Sequence, residues 1–167
     1  MNYAEAMSRF SCRDKSVEYF LRNKAFDFDV RNVARTYLIL DPDEYVLDDV
    51  VILAYFSISV KHVIFDETLS KTKINEIDGF SKNAPSANTI LIGQLGKDTE
   101  HSNEISGSLI LDLAIAQVYS ALDTVGCRIA LLECMPIDKL LDFYKSNGFV
   151  FLQQSRDNEL LQLIRFL

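Results

Sequence analysis

A short apolar run, Thr89–Leu95, leads through a polar stretch, Gly96–Ser106, into a long apolar segment, Gly107–Leu122. Strand, polar loop and helix start in that order constrain the fold more than any other feature of this chain. They place it among domains that mix helices with a sheet. The unit is also a physical recipe for holding an anion. The free N–H groups of a first helical turn point outward, and the macrodipole adds partial positive charge there. Gly107 is the only glycine between Lys97 and Val125, so the loop is not of the glycine-rich kind. The plain alternative is a strand, a surface loop and a buried helix with no ligand.

The rest of the chain sets limits on what that unit can serve. A length of 167 residues suits a single domain, 1–167, with a core of its own. The longest apolar runs, such as Val50–Phe56, are far shorter than the roughly 20 residues that span a bilayer. Met1–Cys12 mixes charged and polar residues and offers no signal segment. A cytoplasmic protein without membrane partners is the expectation. Three cysteines, Cys12, Cys127 and Cys134, form no CxxC pair and read as reduced, mostly buried thiols, with no disulfide framework and no metal site. A formal charge of −7 argues against broad nucleic-acid binding, which needs a basic footprint.

Taken in order, Ser11 with Asp14 forms a loose capping box. Val17, Phe20, Leu21, Ala25 and Phe28 then repeat at helical spacing, which predicts an amphipathic helix over Arg13–Asp27. Thr36–Leu40 and Val50–Val60 are strand-like, and predict an antiparallel hairpin across the acidic connection Asp41–Asp49. Leu69–Ile77 reads as a short helix closed by the turn Asp78-Gly79. Cys127–Cys134 is a nearly continuous apolar run, typical of a strand buried on both faces. Pro136 suits the first turn of a helix whose stripe is Ile137, Leu140, Leu141 and Tyr144, and Asn147-Gly148 ends it. Phe149–Gln153 and Leu160–Leu167 are the last strands.

The heptapeptide Phe143-Tyr144-Lys145-Ser146-Asn147-Gly148-Phe149 resembles the FYxxxGF signature of the GNAT superfamily of N-acetyltransferases. The central unit lies without a gap over the family pattern in which a strand ends in Leu-Ala-Val and an Arg-Gly-x-Gly-x-Gly loop leads into a helix. On that overlay Gly96 takes the Ala position and Lys97 the Val position. Ser102 replaces the Arg/Gln, Asn103 and Ile105 replace glycines, and Gly107 is retained. Phe10-Ser11-Cys12, Phe20-Leu21, TYLIL and AYFSIS are similar to the bacterial branch that includes toxin-type acetyltransferases acting on aminoacyl-tRNA. The acidic net charge keeps tRNA an open possibility here and not an inherited substrate.

The resemblance implies an α/β (α+β) GNAT fold: a mixed, mostly antiparallel central sheet with helices on both faces and a splayed parallel pair of central strands. It implies acetyl-CoA as co-substrate and direct attack on it by a primary amine of a small-molecule or protein acceptor, with homodimerisation left open. Backbone groups near Leu95, Gly96 and Lys97 would bond the pantetheine arm. Amides from Ser102, Asn103, Glu104, Ile105, Ser106, Gly107 and Ser108 would take the pyrophosphate, and Tyr144 matches the general acid. The base has four candidates, Glu133, Asp98, Glu67 and Glu76. His101, His62 and Cys134 read as an exposed pair of histidines and a buried thiol. Ile105 brings a stiff β-branched side chain to a place where positive φ would be strained. With Asp98, Glu100 and Glu104 near it, the loop is also acidic. The alternative is therefore a GNAT-fold binding or structural module that has lost catalysis.

Overall fold

The computed structural model describes residues 3–43 and 50–167. In chain order its elements are α1 (Tyr3–Arg9), α2 (Lys15–Asn23), α3 (Ala25–Val30), β1 (Arg35–Leu40), β2 (Ile52–Ile64), α4 (Lys71–Asp78), β3 (Ser86–Lys97), α5 (Gly107–Leu122), β4 (Ile129–Cys134), α6 (Asp138–Ser146), β5 (Val150–Gln154) and β6 (Leu161–Phe166). The strands form one six-stranded sheet in the order β1-β2-β3-β4-β6-β5. It is mostly antiparallel, with β3 and β4 as its parallel pair. Among the described residues no helix is long and apolar enough to cross a membrane. The chain packs as two compact units, Met1–Ser59 with Gly93–Ala116, and Val60–Ile92 with Gln117–Leu167.

In the first unit the apolar stripe of the N-terminal segment closes over the hairpin. Ala6, Phe10, Leu21, Ala25, Val50, Ile52 and Tyr55 share one cluster, with Phe10 edge-on to Tyr55 at 5.4 Å between ring centres. The helix expected over Arg13–Asp27 is two helices, because Lys24 leaves helical geometry at φ −126°. No glycine or proline marks that break, and Phe20 still meets Phe28 across it at 5.3 Å. The cap also differs from the expected one. Asp14, and not Ser11, starts α2, its carboxylate accepting from the amides of Ser16 and Val17. Those bonds hold the Asp14 carboxyl below its ordinary pKa, led by the Ser16 hydroxyl. Met1–Cys12, for which the sequence predicts no element, contains α1. The hairpin forms as expected, antiparallel from Arg35 opposite Ile58 to Leu40 opposite Ile52. Residues 44–49 of its connection lie outside the described residues.

In the second unit β4 is buried almost throughout, pairing with β6 antiparallel and with β3 in parallel. Val63, Phe65, Ile77, Ile129, Leu131, Leu152 and Ile164 make its core. The Ser70 hydroxyl caps α4 by accepting from Lys73 N–H, and Gly79 ends it at φ 85°, a left-handed conformation that favours glycine. Gly148 ends α6 in the same way at φ 82°. Pro136 and Ile137 precede α6 rather than opening it. Ile137 is the cap residue and is 55% exposed, so it does not belong to the buried stripe.

Candidate functional site

Of the strand, loop and helix picked out in the sequence, β3 ends at Lys97, α5 begins at Gly107, and the loop between them lies in the first unit. The parallel ladder between β3 and β4 is short, running from Ile90 opposite Ala130 to Ile92 opposite Leu132, while β3 continues to Lys97. The loop between Lys97 and Gly107 is tied from within. Lys97 Nζ donates to the carbonyls of Ser102 at 2.7 Å and Ile105 at 3.2 Å. Asp98, only 5% exposed, accepts from the amides of Ser11 at 2.8 Å, Glu100 at 2.8 Å and His101 at 3.3 Å. Ile105 is 6% exposed and packs inward, and no residue of the loop has positive φ. The strain that a β-branched residue would suffer in a glycine-type loop therefore does not arise, because this loop is built on ordinary backbone angles and anchored by a buried side chain.

That construction fixes which donors remain. Glu104 N–H is spent on the His101 carbonyl, and Leu109 N–H on the Ser106 hydroxyl, which caps α5. Among the described residues, the amides of Ser106, Gly107 and Ser108 have no hydrogen-bond partner, while the turns over Glu100–Glu104 engage N–H groups earlier in the loop. A row of unspent N–H groups ending at a helix start is the donor set that a diphosphate requires. His101 sits beside them, its Nδ1 2.9 Å from Glu104 Oε1, and that hydrogen bond holds its pKa above the ordinary 6.5.

Gly96 has a separate reason to be glycine. A Cβ there would stand 2.7 Å from Val17 Cγ1 and 2.8 Å from the ring of Tyr55. The ring cannot retreat, because Tyr55 is fully buried and its hydroxyl donates to the Val17 carbonyl. Gly96→Ala is expected to destabilise the protein by about 1–3 kcal/mol through overpacking. Chemical denaturation reads this directly, and an unchanged midpoint would show that Tyr55 can yield.

In the second unit, Tyr144 is 9% exposed. Its ring lies 5.1 Å from that of Phe143 and 6.1 Å from that of Phe149. Burial pushes its pKa up to about 12, so it is a neutral O–H donor at physiological pH. No hydrogen bond from a described residue reaches its hydroxyl, which leaves that proton uncommitted.

No family model matches the sequence, and no curated protein matches it either. Solved structures do match in fold. A tyrosine-to-phenylalanine mutant of KacT is 20% identical, with a TM-score of 0.72 over 93% of this chain and 85% of that one. AtaT in complex with acetyl-methionyl-tRNAfMet is 21% identical, with a TM-score of 0.70 over 93% and 85%. AtaTR bound with AcCoA is 20% identical, with a TM-score of 0.67 over 95% and 86%. KacT and AtaT are GNAT-fold toxin acetyltransferases. The chain has the GNAT fold.

Within this GNAT fold the four base candidates fare differently. Glu133 is bound by Lys61 Nζ at 2.7 Å and by Gln162 Nε2 at 2.8 Å, and Gln162 in turn accepts from the buried Gln153. That network holds the carboxylate in an ion pair with Lys61. Asp98 is held by the amides named above. Glu76 pairs with Lys73 at 3.0 Å, and Glu67 is exposed. His62 is exposed, its Nδ1 2.9 Å from Asn88 Oδ1. Burial raises the Cys134 thiol's pKa, which keeps it protonated and poorly nucleophilic. Sequence reasoning missed the loop-tying role of Lys97. Its one signal is a lone cation at a strand end, ahead of a loop whose carbonyls need donors.

Proposed function

We propose that this protein is an acetyl-CoA-dependent N-acetyltransferase acting on a primary amine, a single domain spanning 1–167. The observation that carries the reading is the row of unspent amides at Ser106, Gly107 and Ser108, set at a helix start that follows a strand end in a GNAT fold. AtaTR, similar in fold, is solved with AcCoA, which supports the same co-substrate here. The co-substrate supplies an activated acetyl thioester. The loop amides hold its diphosphate through backbone, so the acidic side chains around them do not decide binding. Backbone groups of Leu95, Gly96 and Lys97 align its pantetheine arm. As the acceptor nitrogen bonds to the acetyl carbon and the carbon–sulfur bond breaks, Tyr144 gives its proton to the departing thiolate. Glu133 and Asp98 are already committed, so the amine's proton leaves by another route, to water or to an exposed carboxylate such as Glu67.

The acceptor class is a primary amine, small or borne on a macromolecule. AtaT is solved with acetyl-methionyl-tRNAfMet, which makes the α-amine of a charged tRNA one acceptor to assay, although the net charge of −7 weighs against it. Calorimetry and melting with acetyl-CoA test the reading. A ligand at a hundredfold excess over its Kd stabilises by roughly 2.7 kcal/mol. At roughly 2–4 °C per kcal/mol for a chain of this size, the melting temperature should rise by several degrees. No heat and no shift at millimolar acetyl-CoA would leave a GNAT-fold binding module in place of the enzyme.

A further inference from the structure

We infer that the outer face of α5 is an interface for a second copy of this chain, helix against helix across a two-fold axis. α5 is one continuous helix of 16 residues, so the spacing of side chains along it is fixed by helix geometry alone. Its inner side consists of Ile110, Leu111, Ala114, Ile115 and Val118, all buried. The opposite side of such a helix is ordinarily charged or polar. Here Leu109 is 49% exposed, Leu113 38% and Tyr119 45%, and Ala116 between them is exposed as well. Asp112 is the only charged residue of the helix. A face without a cation has nothing to offer a nucleic-acid backbone or an anionic membrane. What it can cover is apolar surface.

The spacing selects the occupant. Leu109, Leu113, Ala116 and Ser120 follow one another at steps of four, three and four, the a/d rhythm of a seam between two helices. The seam is large at its start and small at its end. Laid antiparallel on its own copy, about the level midway between Ala114 and Ile115, it sets Leu109 against Ser120 and Leu113 against Ala116. Large then meets small in every layer, which is how facing positions fill the space between helices. A two-fold contact requires this self-complementarity, with residue i on j and j on i. The flank agrees with it. Asp112 and Tyr119, both exposed, lie on the same edge of the seam, and antiparallel pairing brings like edges together. The Asp112 carboxylate of one copy then accepts from the Tyr119 hydroxyl of the other, twice per dimer. One helix pair is a small interface, so the dimer should form in the micromolar range.

Sedimentation velocity on the full chain over a concentration series tests the interface. The native protein should pass from monomer to dimer. Ala116→Glu puts a charge at the middle of the seam, on an exposed residue, and should stay monomeric throughout. Leu109→Ser should weaken association on the order of tenfold or more, because two half-exposed leucines leave the interface. The exchange of both members, Leu109→Ser with Ser120→Leu, rebuilds each layer with its partners reversed and should restore association to near the native value. Below the dimerisation range all three variants should melt with the native protein, since the altered positions are exposed. A native protein that stays monomeric overturns the inference and leaves this face to another partner. So does a dimer that survives Ala116→Glu, or a loss in Leu109→Ser that the exchange fails to rescue. The interface stands apart from the acetyltransferase reading: a native protein that ignores acetyl-CoA but dimerises with this pattern loses the enzyme and keeps the interface.

Discussion

Gly107→Val should abolish measurable acetyl-CoA binding while leaving the fold almost untouched. Gly107 is the first residue of α5 and is half-buried. It is not among the positive-φ glycines, which are Gly79 and Gly148, so valine can adopt its backbone. At a helix start the change in intrinsic preference is under about 1 kcal/mol, and valine is the better helix former. The effect on binding is larger. The isopropyl group would stand among the free amides of Ser106, Gly107 and Ser108, keeping a diphosphate beyond hydrogen-bond distance. Each bond lost to a charged oxygen is worth about 1.5–3 kcal/mol, so losing two weakens affinity on the order of a hundredfold or more. Calorimetry reads the affinity, and melting without ligand reads the fold. Native affinity in a folded Gly107→Val protein would move the phosphate away from this helix start.

The limits of α5 and the β1–β2 pairing were legible because long apolar periodicity and β-branched runs are strong signals. What periodicity cannot show is how a polar loop is held. The sequence suggested that Ile105, standing where the GNAT pattern has a glycine, would strain the loop. The structure solves the problem differently, burying Ile105 and tying the carbonyls of Ser102 and Ile105 to Lys97. That changes how the loop should be engineered. Glu104→Lys alone adds favourable charge near the amides. Adding Ile105→Gly would empty a buried site and cost stability of the order seen for large-to-small core changes, about 2–5 kcal/mol. The split of the N-terminal helix at Lys24 and the cap at Asp14 were illegible for a related reason. Both depend on backbone angles and hydrogen bonds at single residues, while the stripe Val17, Phe20, Leu21, Ala25 and Phe28 reads the same with or without a break.

Tyr144 stands in the motif that carries the family resemblance, and the structure makes the test of its proposed role clean. Removing a buried hydroxyl usually breaks a hydrogen bond and confuses loss of function with loss of fold. Here the Tyr144 hydroxyl has no partner among the described residues, and the ring makes its contacts with Phe143 and Phe149 through carbon. Phenylalanine keeps that packing, so Tyr144→Phe should melt near the native temperature and bind acetyl-CoA with native affinity. Turnover with any primary-amine acceptor should fall about a hundredfold or more, the usual worth of a positioned general acid. A pKa pushed up to about 12 also fixes the sign of the pH dependence. The acid form is present at every pH below that value, so Tyr144 imposes no alkaline fall in rate across the physiological range. A rise in rate with pH would report deprotonation of the amine instead. The decisive comparison is kcat of the variant against the native enzyme at saturating acetyl-CoA. If kcat is unchanged while the protein stays folded and loaded, the thiolate takes its proton from water and Tyr144 is a packing residue of α6.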